Sequence, residues 1–236
     1  EEGVPALGYT VENASLGRVL WQRLERAPRF TALAPAKVTA LELGEERATA
    51  AIETDSGTLT VNAKLAVAAD GARSALRAAL RVGVAEHDYE QCACIFNCSA
   101  EAPLEGRAFE RFTPHGPIAL LPLSAGRAAA IWTLPAAEAE RIAALSDEAF
   151  ARELQTAFGH RLGRFTRVGK RHLYPLARIA SEAIHGQRAV LIGDAAMRLH
   201  PVAGQGFNVA LRDVATLAEV LADALHSAGD EASADI

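Results

Sequence analysis

One stretch, Val190–Asp213, constrains this chain more than any other: V-L-I-G-D-A-A-M-R-L-H-P-V-A-G-Q-G-F-N-V-A-L-R-D. It reads as a buried strand, Ala189–Ile192, ending in Gly-Asp, then a loop holding Pro201, then a Gly-Gln-Gly turn opening an amphipathic helix. A carboxylate at the end of a strand can accept hydrogen bonds from the hydroxyls of a sugar-like chain. The glycines let backbone approach a flat ligand, and the helix start offers free N–H groups at the positive end of its dipole. The plainer reading is a strand–loop–helix connection with Asp194 as a cap and the glycines as turn residues. A lone G-x-G favours that plainer reading. Asp194, Pro201 and Asn208 at fixed offsets around it favour a cofactor site.

A second string, Asp70-Gly71-Ala72-Arg73-Ser74-Ala75-Leu76-Arg77, follows the compact apolar strand Lys64–Ala69 and opens a helix over about Ser74–Leu80. By itself D-G-x-x-S-x-x-R is a tight turn with Asp70 or Ser74 capping the helix. Two such strand-to-helix junctions in one chain, separated by a different kind of texture, are more specific than either alone.

That texture runs from Tyr89 to Leu134. Strands at Tyr89–Ser99, Arg107–Thr113, Pro117–Leu123 and Arg127–Leu134, parted by Pro/Gly turns, predict an antiparallel meander. Before it, Leu16, Leu20 and Leu24 predict a helix over Asn13–Ala27, capped by Asn13 and stopped by Pro28. Alternating strands follow at Lys37–Leu43, Arg47–Thr54 and Thr58–Ala63. After the meander come helices at Ala136–Ala144 and Asp147–Phe158, a strand near Lys170–Leu176, and a frayed or truncated end over Gly229–Ile236. The fold class is α/β (α+β mixed): a three-layer cofactor-binding domain interrupted by an antiparallel sheet that walls a substrate cavity. The expected segments are 1–84 and 181–236 for the cofactor part and 85–180 for the sheet.

Composition closes off several functions. Half of the 236 residues are hydrophobic and the net charge is −5, so a real core is expected and nucleic-acid binding is not. No apolar run approaches membrane-spanning length and no signal-peptide pattern is present. Cys92, Cys94 and Cys98 share one face of a predicted strand, which predicts buried thiols rather than a metal site. Their odd number fits a reducing cytoplasm. The seven histidines are scattered, no metal site is expected, and no Ser or Cys sits in G-x-S-x-G. Trp21 and Trp132 read as core or pocket walls. Lysine occurs only at Lys37, Lys64 and Lys170, the usage of a GC-rich bacterial genome.

The stretch at Gly193–Asp213 closely resembles the third flavin motif of class A flavoprotein monooxygenases, the aromatic hydroxylases related to p-hydroxybenzoate hydroxylase. Gly193, Asp194, Ala195, Ala196, Pro201, Gly204, Gly206, Asn208 and Asp213 match its pattern. The L-H-P-V-A-G-Q-G-F-N wording is most similar to the ubiquinone-biosynthesis branch (2-polyprenyl-6-methoxyphenol hydroxylase-like). Met197 stands where many members have His after G-D-A-A. The Asp70 string resembles the family's D-G motif near the flavin pyrophosphate, implicated in NAD(P)H binding, with Arg77 also cofactor-proximal. Phe109-Glu110-Arg111-Phe112 and Gly116–Leu123 resemble substrate-sheet strands, but Pro103–Gly106 replaces the His that often precedes them, leaving an acid/base role there in doubt.

The resemblance implies FAD as cofactor and NAD(P)H as co-substrate, with hydroxylation of an electron-rich, polyprenylated or simpler phenol by a flavin C4a-hydroperoxide. Catalysis is then flavin-borne, with Pro201 near the ring and no protein base assigned. The implied cofactor residues are Arg18, Asp70, Gly71, Gly193, Asp194, Pro201, Gly204, Gln205, Gly206, Phe207 and Asn208, although a solvated helix Arg18 is an equal reading. Implied partners are a small aromatic substrate and O2. Cytoplasmic residence is expected, while a place peripheral to the inner membrane, a ubiquinone-biosynthesis complex and a homodimer stay open. So do a geranylgeranyl reductase or halogenase activity, although the halogenase W-x-W-x-I-P is absent, and a non-catalytic assembly module. Such flavoproteins carry G-x-G-x-x-G after their first strand, whereas Gly204–Gly206 is the only G-x-G here and Met197 the only Met. The expectation is a fragment, inactive by itself, lacking the N-terminal βαβ unit and C-terminal helices.

Overall fold

The strands that end in the two motifs lie side by side. A computed structural model describes residues 3–234. In chain order the elements are α1 (Asn13–Glu25), β1 (Ala36–Leu43), β2 (Ala48–Thr54), β3 (Gly57–Ala63), β4 (Ala66–Ala68), α2 (Ala75–Ala79) and β5 (Val84–Ala100). Then come β6 (Phe109–Thr113), β7 (Gly116–Pro122), β8 (Ala128–Pro135), α3 (Ala136–Ala143), α4 (Asp147–Phe158), β9 (Phe165–Val168) and β10 (His172–Ser181). The chain closes with β11 (His185–Gly186), β12 (Ala189–Leu191), β13 (Met197–Arg198) and α5 (Gly206–Ala234). The long strands β5 and β10 pass through both of two compact units. One unit holds Glu90–Leu176 with the N-terminal segment through Thr31; the other holds Ala32–Tyr89 with the segment from Ala177 onward.

In the first unit the strand order is β6-β7-β8-β5-β10, with β9 also on β5. The expected meander is corrected in one respect. After β5 the chain crosses to the outer edge and returns through β7 to set β8 beside β5, antiparallel, with Cys94 opposite Trp132. Strand alternation puts Cys92, Cys94, Phe96 and Cys98 on the helix-covered face, all buried. There α4 presents Phe150, Leu154 and Phe158 at four-residue spacing, and α3 presents Ala139 and Ile142. Ser146 caps α4 by accepting the Ala149 N–H at 3.3 Å, with Asp147 and Glu148 in the positive first turn. Arg171 ties the two helices together: it donates to the Ala143 and Leu145 carbonyls, pairs with Asp147, and lies 4.9 Å over the Phe150 ring. The buried thiols are core. Desolvation pushes Cys94 up to about 11 and Cys98 to about 12.

Three expectations about this unit change. Asn13 does not cap α1; Glu12 holds the N-cap position and makes no side-chain cap bond. No residue of α1 is buried, and Trp21 is an exposed side chain donating to Glu25 Oε1 at 2.6 Å, while Trp132 is the buried wall foreseen. Strand β9, too short and polar to stand out from its loop, was not foreseen.

In the second unit β1-β2-β3 form an antiparallel sheet, and β11-β12-β4 a small one in which β12 and β4 run parallel. Both parallel strands are short apolar runs, with Ala68, Ala189 and Leu191 buried and Val67 exposed. Leu76 of α2 and Leu80 just after it pack on Ala68, Leu191, Ala195 and Ala196. The end of β10 pairs with β13, Ile179 opposite Arg198. Helix α5 continues past the frayed end expected from Gly229, through Ala234; residues 235–236 lie outside the described residues.

Candidate functional site

Register decides where the two acidic motifs point. Ala66, Val67 and Ala68 pair in parallel with Ala189, Val190 and Leu191, and the Ile192 N–H continues the ladder to the Ala68 carbonyl at 3.0 Å. Parallel strands share a carboxyl end, so Asp70 and Asp194, two and three residues beyond the last pair, leave the sheet at the same edge. An acceptor-rich edge at the carboxyl ends of parallel strands is where α/β sheets take ligands.

The first junction is tightly built. Asp70 Oδ2 accepts the Ala75 N–H at 2.8 Å, and the Ser74 hydroxyl accepts the Arg77 N–H at 3.0 Å. Desolvation pushes the Asp70 carboxyl up, but hydrogen bonds from Ser74, Ala75, its own amide and Leu76 hold it below its ordinary value. Gly71, at φ +83°, makes the turn, and an added Cβ there would meet open space. Arg77 is not an exposed ligand-binding group. It is 8% exposed, and its Nη1 donates to the Ala195 carbonyl at 2.8 Å while Nη2 donates to Ala72. It clamps the first motif onto the second. Beside Asp70, an apolar cavity of about 500 Å³ runs along β4, lined by Val38, Leu41, Val67, Leu76 and Ala79.

The second junction is a 3₁₀ turn, Gly193–Ala195, made possible by Gly193 at φ +58°. An added Cβ at Gly193 would lie 3.3 Å from Ala210 on α5, so glycine also admits the helix. The Gly193 N–H donates to Asp213 Oδ2 at 2.9 Å, which gives the matching Asp213 a packing role. Asp194 is exposed, and among the described residues no hydrogen bond or ion pair engages its carboxylate. It does not cap a helix.

The loop to α5 has a support the sequence did not reveal. His200 Nδ1 accepts the Val202 N–H at 3.1 Å, and its ring stands edge-on to Tyr89 at 4.8 Å, which in turn meets His87 at 5.0 Å. Desolvation lowers the His200 pKa, favouring the neutral ring that can accept. The His-Pro pair was visible, but Tyr89 lies over a hundred residues earlier and carries no local signal.

Pro201 opens a 3₁₀ turn closed by Gly204 in the left-handed region, φ +60°. The first helical bond of α5 runs from Val209 N–H to the Gln205 carbonyl at 2.9 Å, so the amides of Gly206, Phe207 and Asn208 precede it without intrahelical acceptors. Gly206 needs neither positive φ nor space from a neighbour, because an added Cβ would meet nothing within 4 Å. Nothing among the described residues requires glycine there. A flat ligand laid against the backbone would. Phe207 is 61% exposed beside it, and Gln205 accepts from Asn208 Nδ2 at 3.3 Å. The second unit thus brings together every expected site residue except Arg18, which lies on exposed α1 of the first unit.

The donor set and the bare glycines fit a flat ring system bearing a hydroxylated chain and an electron-rich edge. The profile of the FAD binding domain family matches residues 5–235. The chain belongs to that family. It is 41% identical over 215 residues to the ubiquinone hydroxylase UbiL of Rhodospirillum rubrum, covering 91% of this chain and 49% of that protein. It is 33% identical over 221 residues to the 3-demethoxyubiquinol 3-hydroxylase of Escherichia coli, covering 94% and 56%. In fold it is similar to the p-nitrophenol 4-monooxygenase of Pseudomonas putida, with TM-score 0.76 and 20% identity over 91% of this chain and 55% of that one. The chain spans about half the length of the curated relatives it matches. Membership in the family agrees with the flavin resemblance of the Gly193–Asp213 stretch.

Proposed function

We propose that this chain is the flavin-ring and substrate-sheet portion of an FAD-dependent hydroxylase of electron-rich phenols of the ubiquinone-precursor kind, using NAD(P)H and O2. The observation that carries the reading is the parallel pairing of β4 with β12, which delivers Asp70 and Asp194 to one edge. FAD, when bound, supplies the redox chemistry.

The chain's own residues would do the rest. Asp194 would accept hydrogen bonds from ribityl hydroxyls, its carboxylate being unengaged among the described residues. Gly193, Gly204, Gln205, Gly206 and Phe207 would bring backbone against the ring, with Pro201 beside it. The amides at Gly206–Asn208 would face its electron-rich rim at the positive helix end. Asp70 and Gly71 would lie toward the pyrophosphate, and Arg18 is the helix residue that would reach the cofactor. Residues 1–84 and 181–236 would form the cofactor part and 85–180 the substrate sheet, whose apolar strands would keep water from the reaction. A polyprenylated substrate would bring the protein to a membrane surface, alone, as a homodimer or within a ubiquinone-biosynthesis complex. No helix of the described residues is long and apolar enough to cross a membrane.

The test is turnover of candidate phenols by the full-length protein with NAD(P)H and O2, read by product mass. The expected result is a yellow protein forming an oxygenated phenol. A folded but colourless full-length protein would overturn the reading. Asp194→Ala should deplete FAD while changing stability by no more than about 0.5 kcal/mol, because the side chain is exposed.

A further inference from the structure

Tyr89 stands edge-on to two imidazoles. It lies two residues after His87 on β5, so the two side chains share a face of the strand, their rings 5.0 Å apart and at 85°. It also meets the His200 ring, at 4.8 Å and 87°. Perpendicular packing is favoured between such rings, because the positive edge of one faces the negative face of the other. Val84–Asp88 are exposed, and Tyr89 is the first side chain of β5 to be partly covered. All three rings belong to the unit that carries both motifs.

His200 is joined to the loop through one ring atom, the Nδ1 that accepts the Val202 N–H at 3.1 Å. That bond needs a particular rotation of the ring and the tautomer with its proton on Nε2. Tyr89, edge-on to the same ring, restricts that rotation. Val202 lies within the Pro201–Ala203 turn, which the Gly204 N–H closes onto the Pro201 carbonyl at 2.8 Å. Two residues further on, the amides of Gly206, Phe207 and Asn208 open α5 without intrahelical acceptors. A continuous series of contacts thus runs from Tyr89 through His200 and Val202 to the turn that launches the helix.

We propose, resting on the flavin reading of that helix start, that Tyr89 is a positioning residue for the flavin ring. It fixes the His200 imidazole, the imidazole holds the Pro201–Gly204 turn, and the turn aims the Gly206–Asn208 amides at the electron-rich rim. Tyr89 acts through its ring, so phenylalanine should serve in its place and alanine should not. The ring gains negative charge on reduction, and well-aimed amides at a positive helix end favour the reduced form over the oxidised one.

The test uses the full-length protein with two measurements. Without FAD, ¹⁵N-histidine labelling reads the tautomer of His200 from its two ring nitrogens at a pH where the ring is neutral, and His200→Asn assigns the signals. With FAD, dye-coupled reduction reads the potential of the bound flavin. Tyr89→Ala should shift the His200 nitrogens toward the averaged values of a freely exchanging imidazole. It should also lower the potential by up to about 30 mV, the two-electron equivalent of a tenfold change. Tyr89→Phe should restore both. A ring that only fills space would change the unfolding midpoint of Tyr89→Ala and leave both measurements on the folded protein unmoved. Unchanged His200 nitrogens in folded Tyr89→Ala overturn the proposal, as does an unchanged potential or a failure of Tyr89→Phe to restore it. Wild-type protein that takes up no FAD, its His200 held in the Nε2–H form, would instead overturn the flavin reading and the positioning role with it.

Discussion

The guanidinium of Arg77 donates from Nη1 to the carbonyl of Ala195 across 118 positions of sequence, at 2.8 Å. It fastens together two junctions that the parallel register of β4 and β12 has already set side by side. Arg77 is held from its other end too, by Ala72, so it fastens the turn after Asp70 to the turn after Gly193.

Replacing Arg77 by Met should therefore cost about 2–3 kcal/mol, since buried hydrogen bonds from a charged donor are lost and the Ala195 carbonyl is left unpaired. Urea unfolding checks it. Arg77→Lys should recover only part of the loss, because one ammonium cannot reach both carbonyls in the guanidinium's fixed fork.

Gly193 and Gly206 should behave oppositely. Gly193→Ala places a side chain at φ +58° and 3.3 Å from Ala210, and should destabilise by about 1–2 kcal/mol. Gly206→Ala has open space and no positive φ, so stability should hold or rise by up to about 1 kcal/mol. Flavin affinity of the full-length protein should nevertheless fall. Thermal unfolding and flavin titration of the two variants separate packing from ligand approach.

Asp70 makes stability depend on pH in acid. Its folded pKa lies below the ordinary 3.8, so the contribution of its ionised form is fully present above that value and disappears as pH falls through the lower folded one. Asp70→Ala should cost about 1 kcal/mol near neutrality, as lost helix caps do. The gap between wild type and variant should close in acid. Denaturant midpoints measured from pH 7 down to about 3 test it.

His200 gives a second dependence, in a higher window. Its folded pKa lies below the ordinary 6.5, so the neutral ring's support of Val202 is present above 6.5 and is lost as pH falls through the folded value. Flavin release from the full-length protein should quicken over that descent, followed by flavin fluorescence. His200→Asn retains a short acceptor for Val202 and should flatten the dependence; a profile unchanged in that variant would rule the mechanism out.

The elements themselves were legible because their signals are local. Strand alternation placed Cys92, Cys94 and Cys98 on a buried face, and Ser74 with Asp70 announced the start of α2. Gly193 and Gly204 of the second motif were readable because tight turns at positive φ call for glycine. The exposure of α1 was not readable, since Leu16, Leu20 and Leu24 give an amphipathic pattern whether or not anything covers it.

The sequence alone determined which segments turn, which alternate, and that two Asp-bearing strand ends flank a sheet of another kind. Only tertiary structure decided that those ends share an edge, because parallel register between Ala66–Ala68 and Ala189–Leu191 is a long-range choice made by packing. It also decided what the charged side chains do. Arg77 became a buried clamp, because charge is written in the residue but burial and partners are written in the fold.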